Sequence, residues 1–243
     1  MNLVVDVGNS FVKLAVFNAD KLQERRVVEL KKLLEAIALL KTEFPLLKNA
    51  IISSVGHLNI NQIENIKKGF KLLVLDANTK LPFINSYTTP QTLGVDRIGL
   101  VCASVKQFSS KNVLIIDAGT CITYDFITKE NKYLGGAISP GLSMRYKSLN
   151  NLTAKLPLLE LTVPENIIGN STANSIHSGV VNGVINEVDG IIVQYKTKFS
   201  DLTVILTGGD AKFLSKQLKS SIFANSNFLL EGLNYILQLN SDE

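Results

Sequence analysis

Chemistry that depends on thiols or imidazoles has almost nothing to work with in this sequence. Its 243 residues include two cysteines, Cys102 and Cys121, and two histidines, His57 and His177. Two cysteines in separate apolar surroundings make neither a disulfide framework nor a thiolate metal set, and they read as small core residues. Two histidines are too few for most imidazole-based metal or triad chemistry, and both read as structural or incidental. Runs of one charge are missing as well. Lys and Arg number 25 against 21 Asp and Glu, a net +4, and the densest basic pairs, Lys31-Lys32 and Lys67-Lys68, sit inside amphipathic patterns. They read as solvated helix faces, so no nucleic-acid partner is expected. The opening Met1–Asp6 has no basic leader, and Asp6 interrupts its apolar run, so no signal peptide is expected. The uncharged stretch 166–186 is long enough to span a bilayer, but its Asn, Ser and Gly content excludes it as a transmembrane segment. The expected setting is a reducing cytoplasm, with no membrane partner.

What is present fits a packed globular protein: 46% of residues are hydrophobic and 19% charged. A chain of this length buries roughly 70–75% of its unfolded surface and needs no staple or metal to fold.

An internal repeat organises the chain. Leu3-Val4-Val5-Asp6-Val7-Gly8-Asn9-Ser10 opens it, and Leu114-Ile115-Ile116-Asp117-Ala118-Gly119-Thr120-Cys121 repeats the pattern about halfway along. In both, a buried β-branched strand runs into Asp-x-Gly-(Asn/Thr) and then a second apolar run, Phe11–Phe17 or Ile122–Ile127. Polar turn residues end each second run, predicting a strand–turn–strand hairpin once per half. Helical faces follow: Leu30, Leu33, Leu34, Ile37 and Leu40; Ile60, Ile63 and Ile66; Ile98, Val101, Cys102 and Val105. In the second half Ile176, Val180, Val184, Val188, Ile191 and Tyr195 trace a long helix. Gly179, Gly183 and Gly190 within it mean either close helix packing or imperfect periodicity. A buried strand, Leu202–Leu206, runs into Thr207-Gly208-Gly209-Asp210-Ala211 and a helical pattern at Phe213, Leu214 and Leu218, and Phe228–Leu239 reads as a final helix. Ser109-Ser110-Lys111-Asn112 breaks the pattern. The expected fold class is α/β: two similar domains, 1–110 and 111–243, each a mixed sheet flanked by helices, facing one another across a cleft.

Asp-x-Gly-Asn-Ser at the end of a buried strand suits a phosphate. Gly8 permits a tight turn and close approach, and the loop's N–H groups with Asn9, Ser10 and Lys13 can bind phosphate oxygens. Asp6 can hold Mg²⁺ or its waters beside them. Asp117-Ala118-Gly119-Thr120 carries the same equipment in the other half. A lone match of this kind is an ordinary turn; the duplicate in register points to a polyphosphate gripped from both sides. Thr207-Gly208-Gly209 suits a backbone approaching adenine or ribose, or is simply a strand-to-helix turn. Asp96, in Leu93-Gly94-Val95-Asp96-Arg97, is either a helix cap or the carboxylate that orients and deprotonates an attacking hydroxyl. Gly135–Leu142 is too rich in Gly and Pro for a regular element and reads as a loop crowded against a ligand or partner.

These motifs, with Thr153–Pro157 and Ile168–Thr172, stand in the order and spacing of type III pantothenate kinase, which the chain resembles over essentially its whole length. The resemblance implies an actin-like ATPase (ribonuclease H-like) fold and the first step of coenzyme A biosynthesis, in which pantothenate and ATP give 4′-phosphopantothenate and ADP. It implies ATP binding by Asp6, Val7, Gly8, Asn9, Ser10, Phe11, Val12, Lys13 and Thr120. It places the first phosphate loop and the base motif in the first half, and the second phosphate loop and the adenosine loop in the second. It makes Asp6 the Mg²⁺ partner, Asp117 a ligand of K⁺ or ammonium, and Asp96 the general base. Tyr87, Gly94, Val95, Asp96, Arg97 and Thr172 become pantothenate contacts, in a homodimer whose active site lies near the subunit interface. Ser10 stands where the family usually has Thr, which keeps the hydroxyl. The segment 87–93 departs from the family's spelling, as does Asn170-Ser171. A sugar- or acetate-type kinase, a polyphosphate phosphatase, and a regulatory homologue without turnover are the competing readings. Gly94–Arg97 opposes the first two, and retention of Asp6, Asp96, Asp117 and Thr120 opposes the last.

Overall fold

The first half of the chain forms β1 (Asn2–Val7), β2 (Val12–Asn18), β3 (Lys21–Val28), α1 (Leu33–Glu43), β4 (Asn49–Ser54), α2 (Ile60–Lys67), β5 (Lys71–Val74), β6 (Ile84–Asn85) and α3 (Val95–Gln107). There follow β7 (Val113–Ala118), β8 (Cys121–Ile127), β9 (Lys132–Pro140), α4 (Leu142–Asn151) and α5 (Thr172–Lys198). The chain ends with β10 (Thr203–Thr207), α6 (Ala211–Leu214), β11 (Phe223–Ala224) and α7 (Phe228–Leu239). These elements come from a computed structural model that describes residues 1–54, 58–76 and 78–241; His57 lies outside the described residues. Among the described residues no helix is long and apolar enough to cross a membrane.

The chain divides into two compact units. One comprises Met1–Ser109, Asn131–Tyr133 and Asn227–Glu243; the other comprises Ser110–Glu130 and Leu134–Ser226. The expected halves 1–110 and 111–243 are corrected here. Helix α7, at the end of the chain, belongs to the first unit. The reason is its surface: Phe228, Leu229, Leu230, Leu233, Ile236 and Leu237 are all buried, so the helix is apolar over most of its circumference and must be covered on several sides. It packs on α3, β1 and β4. The buried Asn234 ties it down: its Nδ2 donates to the Ala19 carbonyl (2.9 Å) and its Oδ1 accepts from Asn2 Nδ2 (2.9 Å).

In the first unit the strands run in the order β3-β2-β1-β4-β5. Strand β1 pairs antiparallel with β2 and parallel with β4. As the middle strand it is covered on both faces, which explains its unbroken Leu3-Val4-Val5 run; edge strand β3 alternates between half-buried and exposed. The second sheet runs β11-β10-β7-β8-β9-β6; its strands β11 to β9 repeat the order of the first sheet, with β7 in the place of β1. The sequence repeat is thus a repeat of topology. Each unit has its own core. Leu3, Val5, Leu14, Leu33, Ile37 and Ile52 anchor the first. Leu114, Ile116, Tyr124, Val184, Val188 and Leu206 anchor the second.

Two local readings need correction, and one open alternative, imperfect periodicity over close packing at the α5 glycines, is decided. Gly135–Leu142 is not a loop: residues 132–140 form strand β9, and α4 starts at Leu142. A Cβ on Gly136 would stand 1.5 Å from the Tyr124 carbonyl oxygen, so glycine there permits close packing of backbone on backbone instead of ending the strand. The helix after β10 is a single turn. Gly179, Gly183 and Gly190 have nothing near their missing Cβ atoms, while the tight helix contact falls at Gly99 and Gly232, where α3 meets α7.

Candidate active site

Asp6 stands on β1 opposite Lys13 of β2 and Ser53 of β4. Asp117 stands on β7 opposite Thr123 of β8 and Thr207 of β10. The two carboxylates therefore occupy matching registers on matching strands. Asp6 is 3% exposed, and Lys13 Nζ lies 3.3 Å from its Oδ2. Burial pushes the Asp6 carboxyl above its usual range, Lys13 opposes that, and the negative charge of Asp96 adds to it. A buried carboxylate with one partly exposed ammonium and a second acid in electrostatic range is a place where a cation is stabilised.

The turns that follow the two acids differ. Between β1 and β2 lie Gly8, Asn9, Ser10 and Phe11, closed by Gly8 N donating to Phe11 O (3.1 Å). Asn9, Ser10 and Phe11 are exposed, and a small cavity of about 150 Å³ is lined by Val7, Gly8, Asn9, Ser10, Phe11 and Val12, with Leu30. Between β7 and β8 lie only Gly119 and Thr120, closed by Gly119 N donating to Cys121 O (2.9 Å). The second turn is two residues shorter, so it offers fewer free N–H groups than the sequence parallel implies.

Other segments close on that shorter turn. Gly141 N donates to the Thr120 carbonyl (3.0 Å), and a Cβ on Gly141 would meet the Gly119 oxygen at 2.1 Å. Gly208 adopts φ +97°, and a Cβ there would meet Asp117 Oδ1 at 2.4 Å and the Ala118 oxygen at 2.2 Å. Asp210 N also donates to Ala118 O (2.9 Å). The Thr207-Gly208-Gly209 segment is therefore a strand-to-helix turn that only glycine lets lie against Asp117. Gly209 faces open space.

Asp96 is the second residue of α3, where its charge complements the helix dipole. Its Oδ1 accepts from Arg97 N (2.8 Å), while the N-cap position belongs to Gly94. A Cβ on Gly94 would lie 2.4 Å from that Oδ1, so glycine at 94 clears the space the carboxylate occupies. Arg97 is 5% exposed, and its guanidinium sits 5.6 Å from the Tyr87 ring centroid. Tyr87, Asp96 and Arg97 are thus joined in the first unit. In the second unit Thr172 lines a cavity of about 640 Å³ with Arg145, Leu149, Leu156, Ser175 and Ile176. Leu156 and Thr172 come from two of the short motifs noted in the sequence. Ser171 caps α5 by accepting from Asn174 N (3.2 Å).

Some of the polar framework carries no sequence signal. Glu187 of α5 accepts from Tyr124 Oη (3.0 Å) and pairs with Arg145 of α4, whose guanidinium also donates to Ser139 Oγ and the Pro140 carbonyl. Burial alone would raise the Glu187 carboxyl; the hydrogen bonds from Arg145, Ser139 and Tyr124 outweigh it and leave the carboxyl below its usual range. His177 shares a hydrogen bond with Tyr146 Oη (2.9 Å) and is structural. Cys102 is fully buried as expected, whereas Cys121 is half-buried. Among the described residues no three His, Cys, Asp or Glu side chains gather into a metal cage.

Comparison with known proteins gives this arrangement a family. A family model described as type III pantothenate kinase matches residues 2–194. A type III pantothenate kinase of Christiangramia forsetii is 53% identical over the whole of both chains. That of Flavobacterium johnsoniae is 48% identical over all of this chain and 99% of its own. Among solved structures, a protein of Campylobacter jejuni described as a Baf family transcriptional activator matches with TM-score 0.66 at 21% identity, covering 99% of this chain and all of its own. A ROK family glucokinase of Streptomyces griseus, solved with glucose and AMPPNP, matches with TM-score 0.53 at 11% identity, covering all of this chain and 99% of its own. At such identities the solved structures speak for the fold alone, which is the actin-like, ribonuclease H-like one. The relatives and the family model speak for more: the chain belongs to the type III pantothenate kinase family.

Proposed function

We propose that this chain transfers the γ-phosphoryl group of ATP to pantothenate, giving 4′-phosphopantothenate and ADP at the entry to coenzyme A biosynthesis in the cytoplasm. Membership of the family over the full length of the chain carries this reading. The geometry of the first unit supports the roles within it. Asp6, with Val7 to Lys13, holds the ATP phosphates, and Thr120 contacts the nucleotide. Asp96, held at the start of α3 with its carboxylate in the space Gly94 leaves, takes the acceptor's proton. Tyr87, Gly94–Arg97 and Thr172 hold pantothenate.

The bond changes are simple. The pantothenate hydroxyl oxygen attacks the γ-phosphorus, the bond from that phosphorus to the β–γ bridging oxygen breaks, and the hydroxyl proton passes to Asp96. ADP leaves with the bridging oxygen. Positioning and charge compensation supply most of the acceleration in such transfers. The buried Asp6 carboxylate fits Mg²⁺, which when bound beside the phosphates neutralises part of their charge. Lys13, paired with Asp6 here, belongs to the same phosphate-binding set. Asp117 takes K⁺ or ammonium on the same family reading, a monovalent cation there offsetting the repulsion between a carboxylate and a polyphosphate. Homodimerisation belongs to the same reading, supported by exposed apolar side chains on the second unit, Leu152, Ile167 and Ile168.

The test is a coupled ADP-release assay with pantothenate as the only acceptor and Mg²⁺ present. Phosphopantothenate should form in step with ADP. Turnover with sugars or acetate but not pantothenate, or none with any acceptor and cation, would falsify the assignment.

A further inference from the structure

Tyr133 is a fully buried tyrosine that neither the sequence motifs nor the assigned roles above use. It lies in the short segment Asn131–Tyr133 that belongs to the first unit, although the chain on either side of it belongs to the second. What it meets in the first unit is the segment carrying Tyr87. Strand β6 pairs in parallel with the start of β9, Ile84 opposite Lys132 and Asn85 opposite Tyr133. Ile84 N donates to the Asn131 carbonyl (2.9 Å), and Ser86 N donates to the Tyr133 carbonyl (3.0 Å). Asn85 Oδ1 then accepts from Tyr87 N (3.0 Å). Each residue from 84 to 87 thus has its backbone or side chain committed in a chain of bonds that starts at 131–133.

The side chains repeat this arrangement as a stack. Phe83 meets the Tyr133 ring edge-on, with centroids 6.0 Å apart and planes at 67°. Tyr87 lies on Tyr133 nearly parallel, at 6.2 Å and 28°. The Arg97 guanidinium covers Tyr87 at 5.6 Å. Offset and edge-on ring pairs have preferred geometries that a flexible aliphatic chain cannot reproduce, and a guanidinium over a ring is held by the ring's own charge distribution. Of the three rings only Tyr133 is fully buried; Phe83 and Tyr87 are half-buried. The buried ring is the fixed member, and the others take their places from it.

We propose that Tyr133 is a positioning residue of the acceptor site: it sets where the Tyr87 ring and, through it, the Arg97 guanidinium stand. The proposal rests on the reading that Tyr87 and Arg97 touch pantothenate. It explains why a segment whose spelling departs from the family's can still present Tyr87, since its placement comes from β9 and not from residues 88–93.

The experiment measures KM for pantothenate and for ATP separately in the full-length enzyme, in Tyr133→Leu, Tyr133→Phe, Tyr87→Leu and the double Leu variant. Tyr133→Leu should raise the pantothenate KM about three- to tenfold, the range that loss of one aromatic pair corresponds to, and leave the ATP KM within about twofold of wild type. Tyr133→Phe keeps the ring and should restore the pantothenate KM. The double variant should be no worse than Tyr87→Leu alone, because the two act through one contact. Partial misfolding lowers apparent kcat but not KM, so the comparison survives it. If Tyr133→Leu yields no folded protein, Phe83→Leu, at the half-buried end of the stack, should give a smaller rise in the same constant. An unchanged pantothenate KM in the tested ring variant, or equal rises in both constants, overturns the proposal. If Tyr87→Leu itself leaves the pantothenate KM unchanged while the wild type turns over pantothenate, the acceptor-contact role of Tyr87 fails and the proposal falls with it.

Discussion

Adding a single methyl group at Gly232 should damage both stability and catalysis, although alanine is the better helix former. In helix α7 the missing Cβ of Gly232 would lie 1.9 Å from the Gly99 carbonyl oxygen and 3.0 Å from Ala103 N on α3. Both neighbours are backbone, so no rotamer change can relieve the overlap. A carbon settles about 3.4 Å from a carbonyl oxygen, so the crossing must open by roughly 1.5 Å at that point. Intrinsic propensity favours alanine over glycine in a helix interior by about 1 kcal/mol. Overpacking a tight contact costs about 1–3 kcal/mol and more when the backbone must move. The strain wins, and a net loss of about 2 kcal/mol corresponds to a fall in Tm of about 4–8 °C for a chain of this size. Helix α3 carries Asp96 and Arg97 in its first turn, so its displacement moves the groups proposed to act on the acceptor; misplacement by about 1 Å can cost about 10²-fold in rate. Thermal melting and kcat are measured on Gly232→Ala alongside Gly183→Ala, whose Cβ would meet nothing within 4 Å. The latter should match or exceed wild-type Tm. A Gly232→Ala enzyme as stable and as fast as wild type would refute the argument that the α3–α7 crossing is set by backbone contact.

Three further outcomes follow from the site. Asp96→Asn should lower kcat by about 10²–10⁴-fold, the scale of general-base loss, with ATP affinity nearly unchanged; retention of kcat would leave Asp96 a mere helix-terminal charge. Activity at fixed Mg²⁺ should rise with KCl or ammonium chloride and stay low in sodium or tetramethylammonium chloride at equal ionic strength, with Asp117→Asn blunting the K⁺ response; equal rates in all four salts would remove Asp117 as a cation ligand. Glu187→Gln should destabilise the fold by about 1–3 kcal/mol at pH 7, since it takes the charge from hydrogen bonds made to an ion. The folded-state carboxyl lies below its unfolded value of 4.5, so that stabilisation is complete above the unfolded value and is lost as pH falls through the folded one. Urea melts at pH 7 and in the acid range should therefore show the gap between wild type and Glu187→Gln closing in acid. A gap independent of pH would contradict the charge-based account.

The hairpins were legible in the sequence because their signal is local. A middle strand buried on both faces must be continuously apolar, as Leu3–Val5 and Leu114–Ile116 are, and the turn residues that follow stand next to it in the chain. The long helix α5 and the terminal helix α7 were legible for the same reason, through their periodicity. Family resemblance then carried the choice of reaction, which no single motif could have carried.

Tertiary structure decided what depends on distant partners. That α7 returns to the first unit, that Gly232 and not Gly183 is the tight helix crossing, and that Gly135–Pro140 is a strand are all set by which surfaces meet. An apolar helix advertises that it will be buried, but not against what. Glycine in a sequence has the same appearance whether it frees a loop, admits a neighbouring backbone as Gly136 does, or clears room for a carboxylate as Gly94 does. Glu187 and Arg145 are 42 positions apart in the chain, and Tyr133 and Tyr87 lie on separate segments, so neither pairing leaves a mark in any window of sequence. The physical reason is common to all of these: propensity and periodicity act over one or two turns of chain, whereas packing and ion pairing act over a few ångströms of space, and only the folded chain brings the two scales together.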